Sequence, residues 1–299
     1  MIQATVGAAL RGRPAWNSIF FNTIDRAFHK EIDSTPGGHG GPPLQLRPML
    51  AEITPLILTY NEAPNIGRVL EGLRWAREIV VVDSFSDDET VQIAASFPNV
   101  RIIQRAFDNH RNQWEFGLTE TGISTRWVFA LDADYIVTEE LLAEIKTLEP
   151  QTDTAGYRAK FIYCINGKRL RSGIYPPVTV LYRRDAATYV QDGHTQRVAV
   201  DGAIEDLREP LLHDDRKPFR RWFNSQSKYT ELEAEKLRAK DPYELEFADR
   251  LRRWRFIVPP AMLFYCLVVR GGILDGPAGF YYAFQRAMAE LMLSHRLNG

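Results

Sequence analysis

Trp127 to Ile136 reads WVFALDADYI, an apolar run carried by Trp127, Val128, Phe129 and Leu131 and then cut by two aspartates. The run fits a buried strand. Side chains alternate across a strand, so Asp132 and Asp134 are expected on one face at its end, where the chain leaves the core. Two adjacent carboxylates repel each other unless a proton or a cation stands between them. Hard oxygen ligands of this kind suit magnesium or manganese carrying a substrate's phosphates.

The neighbouring segments decide what kind of sheet holds this strand. Upstream, ITPLILTY (Ile53 to Tyr60) is a short apolar run, and NEAPNIGRVLEGLRWA follows it with Ile66, Val69, Leu70 and Leu73 at helical spacing. Pro64 suits the first turn of that helix. EIVVVDS is a continuous β-branched run of the type buried on both faces of a parallel sheet, and it ends in Asp83. Ser86 and Glu89 stand at capping-box spacing before a second helix, with Asp87 and Asp88 favourable near its N-terminus. VRIIQR then reads as strand, NQWEFGL as helix and TEELLAEIKTL as an acid-started helix. Strand and helix alternate, which predicts a doubly wound sheet with ligands bound outside the carboxyl ends of its strands. Asn61 and Glu62, Asp83, and the Asp132–Asp134 pair all fall at such ends.

After about residue 150 the alternation stops. Asn166-Gly167 between extended segments signals a hairpin, and VTVLYRRDAATYVQDGHTQRVAVDG continues with short strands that add an antiparallel part to the sheet. Neither a Gly-x-Gly-x-x-Gly turn nor a Gly-x-x-x-x-Gly-Lys-Ser/Thr loop is present, which argues against a dinucleotide cofactor or a P-loop triphosphatase. The 299 residues carry a net charge of −1, and the pI is near 6.6. That balance argues against a protein devoted to nucleic acid. Cys164 and Cys266 are far apart and suggest a reducing compartment rather than a disulfide framework.

LTYNEAPNIGRVLEGL, EIVVVDSFSDDET and WVFALDADYIV, in this order over roughly Ile53 to His213, resemble the family-2 glycosyltransferases of the GT-A fold, particularly the lipopolysaccharide-core and envelope-glycan type. The resemblance implies an α/β doubly wound mixed sheet flanked by helices, with a helical C-terminal extension. It implies a donor pocket lined by Thr59, Asn61 and Glu62, with Asp83 on the nucleotide base, Asp132 at the ribose and diphosphate, and Asp134 on a divalent manganese or magnesium ion. Arg111 is a candidate for the diphosphate, by the fixed fork of its guanidinium, and His213 for an added metal or phosphate ligand. For the general base of an inverting reaction, Asp192 in YVQDGHTQRV comes first and His194 second; relatives carry His-Glu here, whereas Thr195 follows His194. Two further departures stand out. DSFSDD replaces the commoner DSGSTD, so Phe85 makes the loop bulkier, and Tyr135 occupies the place of a glutamate.

Residues 1–48 are expected to be a poorly ordered tail and linker, residues 49–212 the transferase domain, and residues 213–299 a helical acceptor- or membrane-associating region. STPGGHGGPPLQLRP (Ser34 to Pro48) cannot hold a helix or a central strand, and Met49 offers a second possible start. No secretory signal is expected, hence a cytoplasmic protein. Near the other end, RLRRWRFIVPPAMLFYCLVVRGG places basic residues and Trp254 ahead of an apolar segment, Phe256 to Val269. The segment is too short for a helix of roughly 20 residues across about 30 Å, and Pro259-Pro260 should interrupt it. A surface segment on the inner face of the membrane, with arginines on anionic headgroups, is the expectation. The partners that the resemblance implies are then a nucleotide-sugar, UDP-linked in keeping with the family, and a lipid-linked or envelope glycan. Two alternatives remain: an inactive homologue serving as a scaffold, and a nucleotidyltransferase.

Overall fold

The computed structural model describes residues 49–192, 195–239, 252 and 257–297, without the side chains of 191–196. The tail and linker expected over 1–48 lie outside the described residues, as does most of the basic run at 250–255.

The first half alternates as its periodicity demands. A 3₁₀ turn (Met49–Glu52) leads into β1 (Ile53–Thr59), α1 (Ile66–Glu71), β2 (Ile79–Asp83), α2 (Thr90–Ala95), β3 (Val100–Gln104), α3 (His110–Thr119) and β4 (Trp127–Asp132). Then come β5 (Tyr135–Ile136), α4 (Glu139–Lys146), β6 (Thr154–Ala159), β7 (Phe161–Ile165), β8 (Lys168–Arg169) and β9 (Val178–Arg183). The strands β10 (Ala187–Asp192), β11 (Thr195–Val200), β12 (Ala203–Asp206) and β13 (Leu211–His213) complete the β structure.

Seven strands form the central sheet in the order β12-β6-β9-β4-β1-β2-β3. Strands β4, β1, β2 and β3 are mutually parallel, and β9 inserts antiparallel between β4 and β6. Alternation along the strands feeds two cores. Ile57, Val81, Phe129 and Leu131 point to the layer holding Ile66 and Leu70 of α1 and Leu141 and Ile145 of α4. Their neighbours Leu56, Val80, Val82 and Val128 point to the opposite layer, with Trp114 and Leu118 of α3 and Tyr189 of β10. A fully buried Leu or Phe contributes about 1.5–3 kcal/mol, so this two-sided burial is what makes the apolar runs strands of an interior sheet.

Local signals explain most boundaries. Asn109 caps α3 by accepting from the Asn112 N–H, and Thr138 caps α4 through the Leu141 N–H. Asn166 and Gly167 both take positive φ, 49° and 82°, as the two-residue hairpin between β7 and β8 requires. The capping box at Ser86 and Glu89 does not form. Helix α2 starts at Thr90, and Asp88 accepts from the Thr90 N–H while Ser86 turns to Asp83. The polar side chain of Ser86 finds a stronger partner in a buried carboxylate than in a helix end.

The C-terminal region contains α5 (Phe219–Ala239), α6 (Val258–Phe264), a π-helical turn (Tyr265–Val269), a 3₁₀ turn (Gly272–Asp275) and α7 (Pro277–Arg296). Pro259 and Pro260 do not interrupt an apolar helix. They sit in the first turn of α6, where an N–H would have no intrahelical acceptor, so the prolines open the helix. Helix α7 approaches the turn before it so closely that a Cβ on Gly279 would lie 2.0 Å from the Gly272 carbonyl oxygen. Among the described residues no helix is long and apolar enough to cross a membrane.

Candidate functional site

Strand register brings the acidic positions together at one end of the sheet. Thr59 pairs with Asp83 across β1 and β2, and Leu58 pairs with Asp132 across β1 and β4. Asp134 is not part of β4. The strand ends at Asp132, and Ala133 and Asp134 form a turn into β5, so turn geometry rather than strand alternation aims the second carboxylate.

Asp83 is completely buried. Its carboxylate accepts from Thr59 Oγ1 at 2.9 Å, from the Ser86 N–H at 2.9 Å, from Ser86 Oγ at 2.5 Å and from Gln104 Nε2 at 3.4 Å. Four bonds fill the acceptor capacity of a carboxylate, so contact with a base would require one to be given up. Asn61 ties the same loop from the other side: its N–H donates to Ser86 Oγ and its Oδ1 accepts from the Asp87 N–H. Both Asn61 and Phe85 adopt left-handed backbone, with φ of 56° and 57°. Glycine would take that conformation at no steric cost, so Phe85 is held there under strain and its ring is left exposed.

A second cluster surrounds Asp134. His213, at the end of β13, places Nε2 at 3.3 Å from Asp134 Oδ2, and β13 pairs directly with β5. Its ring is enclosed by Tyr135, Tyr163 and Tyr175. Asp134 Oδ1 and His213 Nδ1 are buried without a hydrogen-bond partner. Burial by itself would raise the Asp134 carboxyl, but the charge and hydrogen bond of His213, with Lys217, hold it down at about 2. His213 is correspondingly raised against its own burial by Asp134. Burial, then the Asp134 charge, pushes Asp132 up to about 6 despite a hydrogen bond from Tyr135.

Glu62 and Lys217 complete this cluster. Lys217 Nζ donates to Glu62 Oε1 at 2.7 Å and stands 3.6 Å from Asp215 Oδ2. Burial raises Glu62 to about 6 although the lysine pulls it down. Lys217 escaped the sequence reading, although its partner Glu62 and nearby His213 did not. The run His213-Asp214-Asp215-Arg216-Lys217 was legible as charge after a strand, but nothing local says that it folds back under α1. There Arg68 and Arg216 both bond Asp214, and Asn65 bonds Asp215. The boundary drawn between 212 and 213 runs through β13, whose last residue belongs to this site.

The remaining candidates are more dispersed. Arg111, in the first turn of α3, donates Nε to the Tyr189 carbonyl at 2.8 Å, which ties α3 to β10 and leaves the side chain otherwise exposed. Asp192 ends β10, but its side chain lies outside the described residues, as does the whole of His194. Tyr135, in place of an acid, is buried and bonds the Tyr175 hydroxyl at 2.8 Å.

The mixed sheet thus gathers an acidic cluster and Lys217 at the carboxyl ends of β1, β2 and β4. Residues 56–188 match the model of the glycosyl transferase family 2. The chain is 26% identical over 274 residues to the lipopolysaccharide core biosynthesis glycosyltransferase LpsC of Rhizobium meliloti (strain 1021), covering 82% of this chain and 93% of that protein. An uncharacterized glycosyltransferase of Rickettsia bellii is 30% identical over 145 residues, 46% of this chain and 48% of its own length. Among solved structures, S. aureus TarS 1-349 in complex with UDP-GlcNAc aligns with 82% of this chain and 89% of its own at 14% identity and a TM-score of 0.41. Glucosyl-3-phosphoglycerate synthase from Mycobacterium tuberculosis, with manganese, UDP and glucosyl-3-phosphoglycerate, aligns with 66% and 84% at 15% identity and a TM-score of 0.42.

Proposed function

We propose that the protein is an inverting, metal-dependent glycosyltransferase that moves a sugar from a nucleoside diphosphate, UDP by preference, to a cell-envelope glycolipid or polysaccharide precursor at the inner face of the membrane. The observation that carries this reading is the Asp134–His213 pair. A buried carboxylate oxygen without a partner, next to an imidazole, at the carboxyl end of the sheet and beside two raised acids, is an electrostatically incomplete site. The donor set fits a hard or borderline divalent cation: Asp134 and His213 would hold it. Among the described residues no three or more such side chains converge to make a metal site by themselves, so the rest of the coordination falls to substrate oxygens and water. Manganese or magnesium, when bound there, supplies positive charge to the diphosphate.

The chain's own residues do the rest. The Asp83–Ser86–Asn61 network fixes the loop on which the base rests, and Asp132 faces the ribose and diphosphate. Arg111 keeps a guanidinium edge available to the phosphates. Lys217 adds a positive charge that the departing diphosphate shares with Glu62. Asp192, or in its place His194, takes the proton of the acceptor hydroxyl as that oxygen attacks the anomeric carbon in line and the nucleoside diphosphate leaves. The envelope acceptor is supported by the likeness to LpsC along nearly its whole length.

Calorimetric titration with a panel of nucleoside diphosphates and nucleotide-sugars, with and without manganese, tests the reading. Metal-dependent binding of one nucleotide class, lost in Asp134→Ala, together with slow release of nucleoside diphosphate, is expected. Binding to none of the panel would turn the assignment to the inactive scaffold, and pyrophosphate release from a triphosphate would turn it to a nucleotidyltransferase.

A further inference from the structure

The C-terminal hairpin carries apolar side chains on its outer face as well as in its interior. On α7 the residues Pro277, Phe280, Phe284 and Leu291 recur at intervals of three, four and seven, which puts them on one helical face, and all four are exposed. The rest of the same helix buries polar Gln285, Arg286, Glu290 and Ser294 together with Tyr282, Ala283, Ala289 and Leu293. Ahead of α7, Phe264 is 59% exposed, Val269 62% and Leu274 70%. A helix in water turns a polar face outward, and singly exposed apolar residues would need no explanation; a whole apolar outer face does.

The charge pattern selects what covers this face. Between residues 257 and 297 the carboxylates are Asp275 and Glu290, and both are buried. Asp275 accepts from the Arg171 and Ser172 N–H groups and from Ser172 Oγ, while Glu290 pairs with Arg252. The exposed charges beside the apolar face are cationic: Arg270, which reaches the Gly173 carbonyl, and Arg171, adjacent to the turn carrying Leu274. An apolar surface rimmed by arginines, on a segment whose own two acids are buried, matches the acyl boundary and headgroups of an anionic bilayer.

We propose that the outer face of α6, the turns after it and α7 is the membrane-docking surface, entering an anionic bilayer with Phe264, Leu274, Phe280 and Phe284 while Arg171 and Arg270 meet the headgroups. This corrects the idea that the basic run at 250–255 makes those contacts at every position: Arg252 is turned inward onto Glu233 and Glu290. The inference deepens the envelope-acceptor reading and rests on it only for what the acceptor is. Docking there brings the sugar site to the membrane. The segment after Arg171 bonds Tyr282 of α7 through the Ile174 N–H and then presents Tyr175 to Tyr135 and His213. A lipid-anchored acceptor can therefore keep its tail in the bilayer while its head reaches the Asp134 cluster.

The test is flotation of the full chain with phosphatidylcholine vesicles, with and without phosphatidylglycerol, beside Phe284→Glu, Leu274→Glu and Arg270→Glu. The wild type should favour the anionic vesicles. Each glutamate at an apolar position should lower partitioning by about tenfold or more, with unchanged melting temperature because these side chains are already exposed. Arg270→Glu should remove the preference for anionic lipid. Equal flotation of wild type and all variants, or a wild type that does not float, would overturn the proposal. So would a stable dimer in sedimentation that Phe284→Glu splits, since the cover would then be a second copy. Release of nucleoside diphosphate from a water-soluble donor is measured on the same samples: its absence with flotation intact removes the transferase reading alone.

Discussion

The donor end of the sheet and the C-terminal hairpin both break the rule that charge lies outside and apolar surface inside, but in opposite ways. At the donor end carboxylates are buried beyond what the local cations neutralise: Glu62 and Asp132 are driven up to about 6 while Lys217 and His213 serve several acids at once. In the hairpin the buried Glu290 is ion-paired with Arg252, which also reaches Glu233 of α5, and the anomaly is the apolar exterior. A charge deficit inside a pocket points to a ligand that brings charge. An apolar surplus outside an ion-paired interior points to a medium that accepts apolar surface.

The comparison breaks first if the hairpin interior is not ion-paired as described. Arg252→Ala leaves Glu233 and Glu290 buried without their cation and should destabilise by about 3–5 kcal/mol, read by urea unfolding. An effect below about 1 kcal/mol would mean that the two glutamates have other means of neutralisation. At the donor end, Asp134→Ala should lower turnover by about 10²–10³-fold in steady-state kinetics while leaving vesicle flotation intact. A variant as active as wild type would remove the metal role from this carboxylate.

Glu62 sharpens the electrostatic half of the comparison. Its folded pKa lies above the ordinary value of 4.5, at about 6, so the folded state holds more protons than the unfolded state between these values, and stability falls as pH rises through that window. Glu62→Gln removes this dependence. The unfolding free energy of the variant relative to wild type should rise by about 1.5 kcal/mol between pH 4.5 and 6.5. A flat difference would show that Lys217 fully compensates the acid. The smallest expected effect is at Phe85: Phe85→Gly relieves left-handed strain of about 1–2 kcal/mol but gives the unfolded chain more freedom, for a net gain of up to about 1 kcal/mol in thermal melts. If the exposed ring contacts the nucleotide, donor affinity should fall in the same variant.

Much of the site was legible because it lies at the ends of locally coded strands. ITPLILT, IVVVD and WVFALD declare themselves through two-sided burial, and their terminal residues Thr59, Asp83 and Asp132 follow from the rule for open sheets. Other assignments failed where a short polar side chain had two possible partners. Ser86 had the spacing of a helix cap but bonds Asp83, because a carboxylate 3 residues away in sequence and already buried is the more demanding neighbour. Pro259-Pro260 looked like an interruption because the sequence does not say where a helix begins when both sides are apolar.

By itself the sequence determined the alternation of strands and helices, the hairpin at Asn166-Gly167 and the carboxylates at the strand ends, since each depends on residues within a few positions of one another. Tertiary structure alone decided that Lys217 meets Glu62 across 155 residues, that His213 stands against Asp134, and that α7 turns its phenylalanines outward. These depend on which surfaces meet after the elements form. Helix α7 carries apolar residues on more than one side, so its own periodicity leaves the outward face open. The choice falls to Glu290, which must reach Arg252, and to Tyr282, Ala283 and Leu293, which complete the apolar clusters beneath the helix.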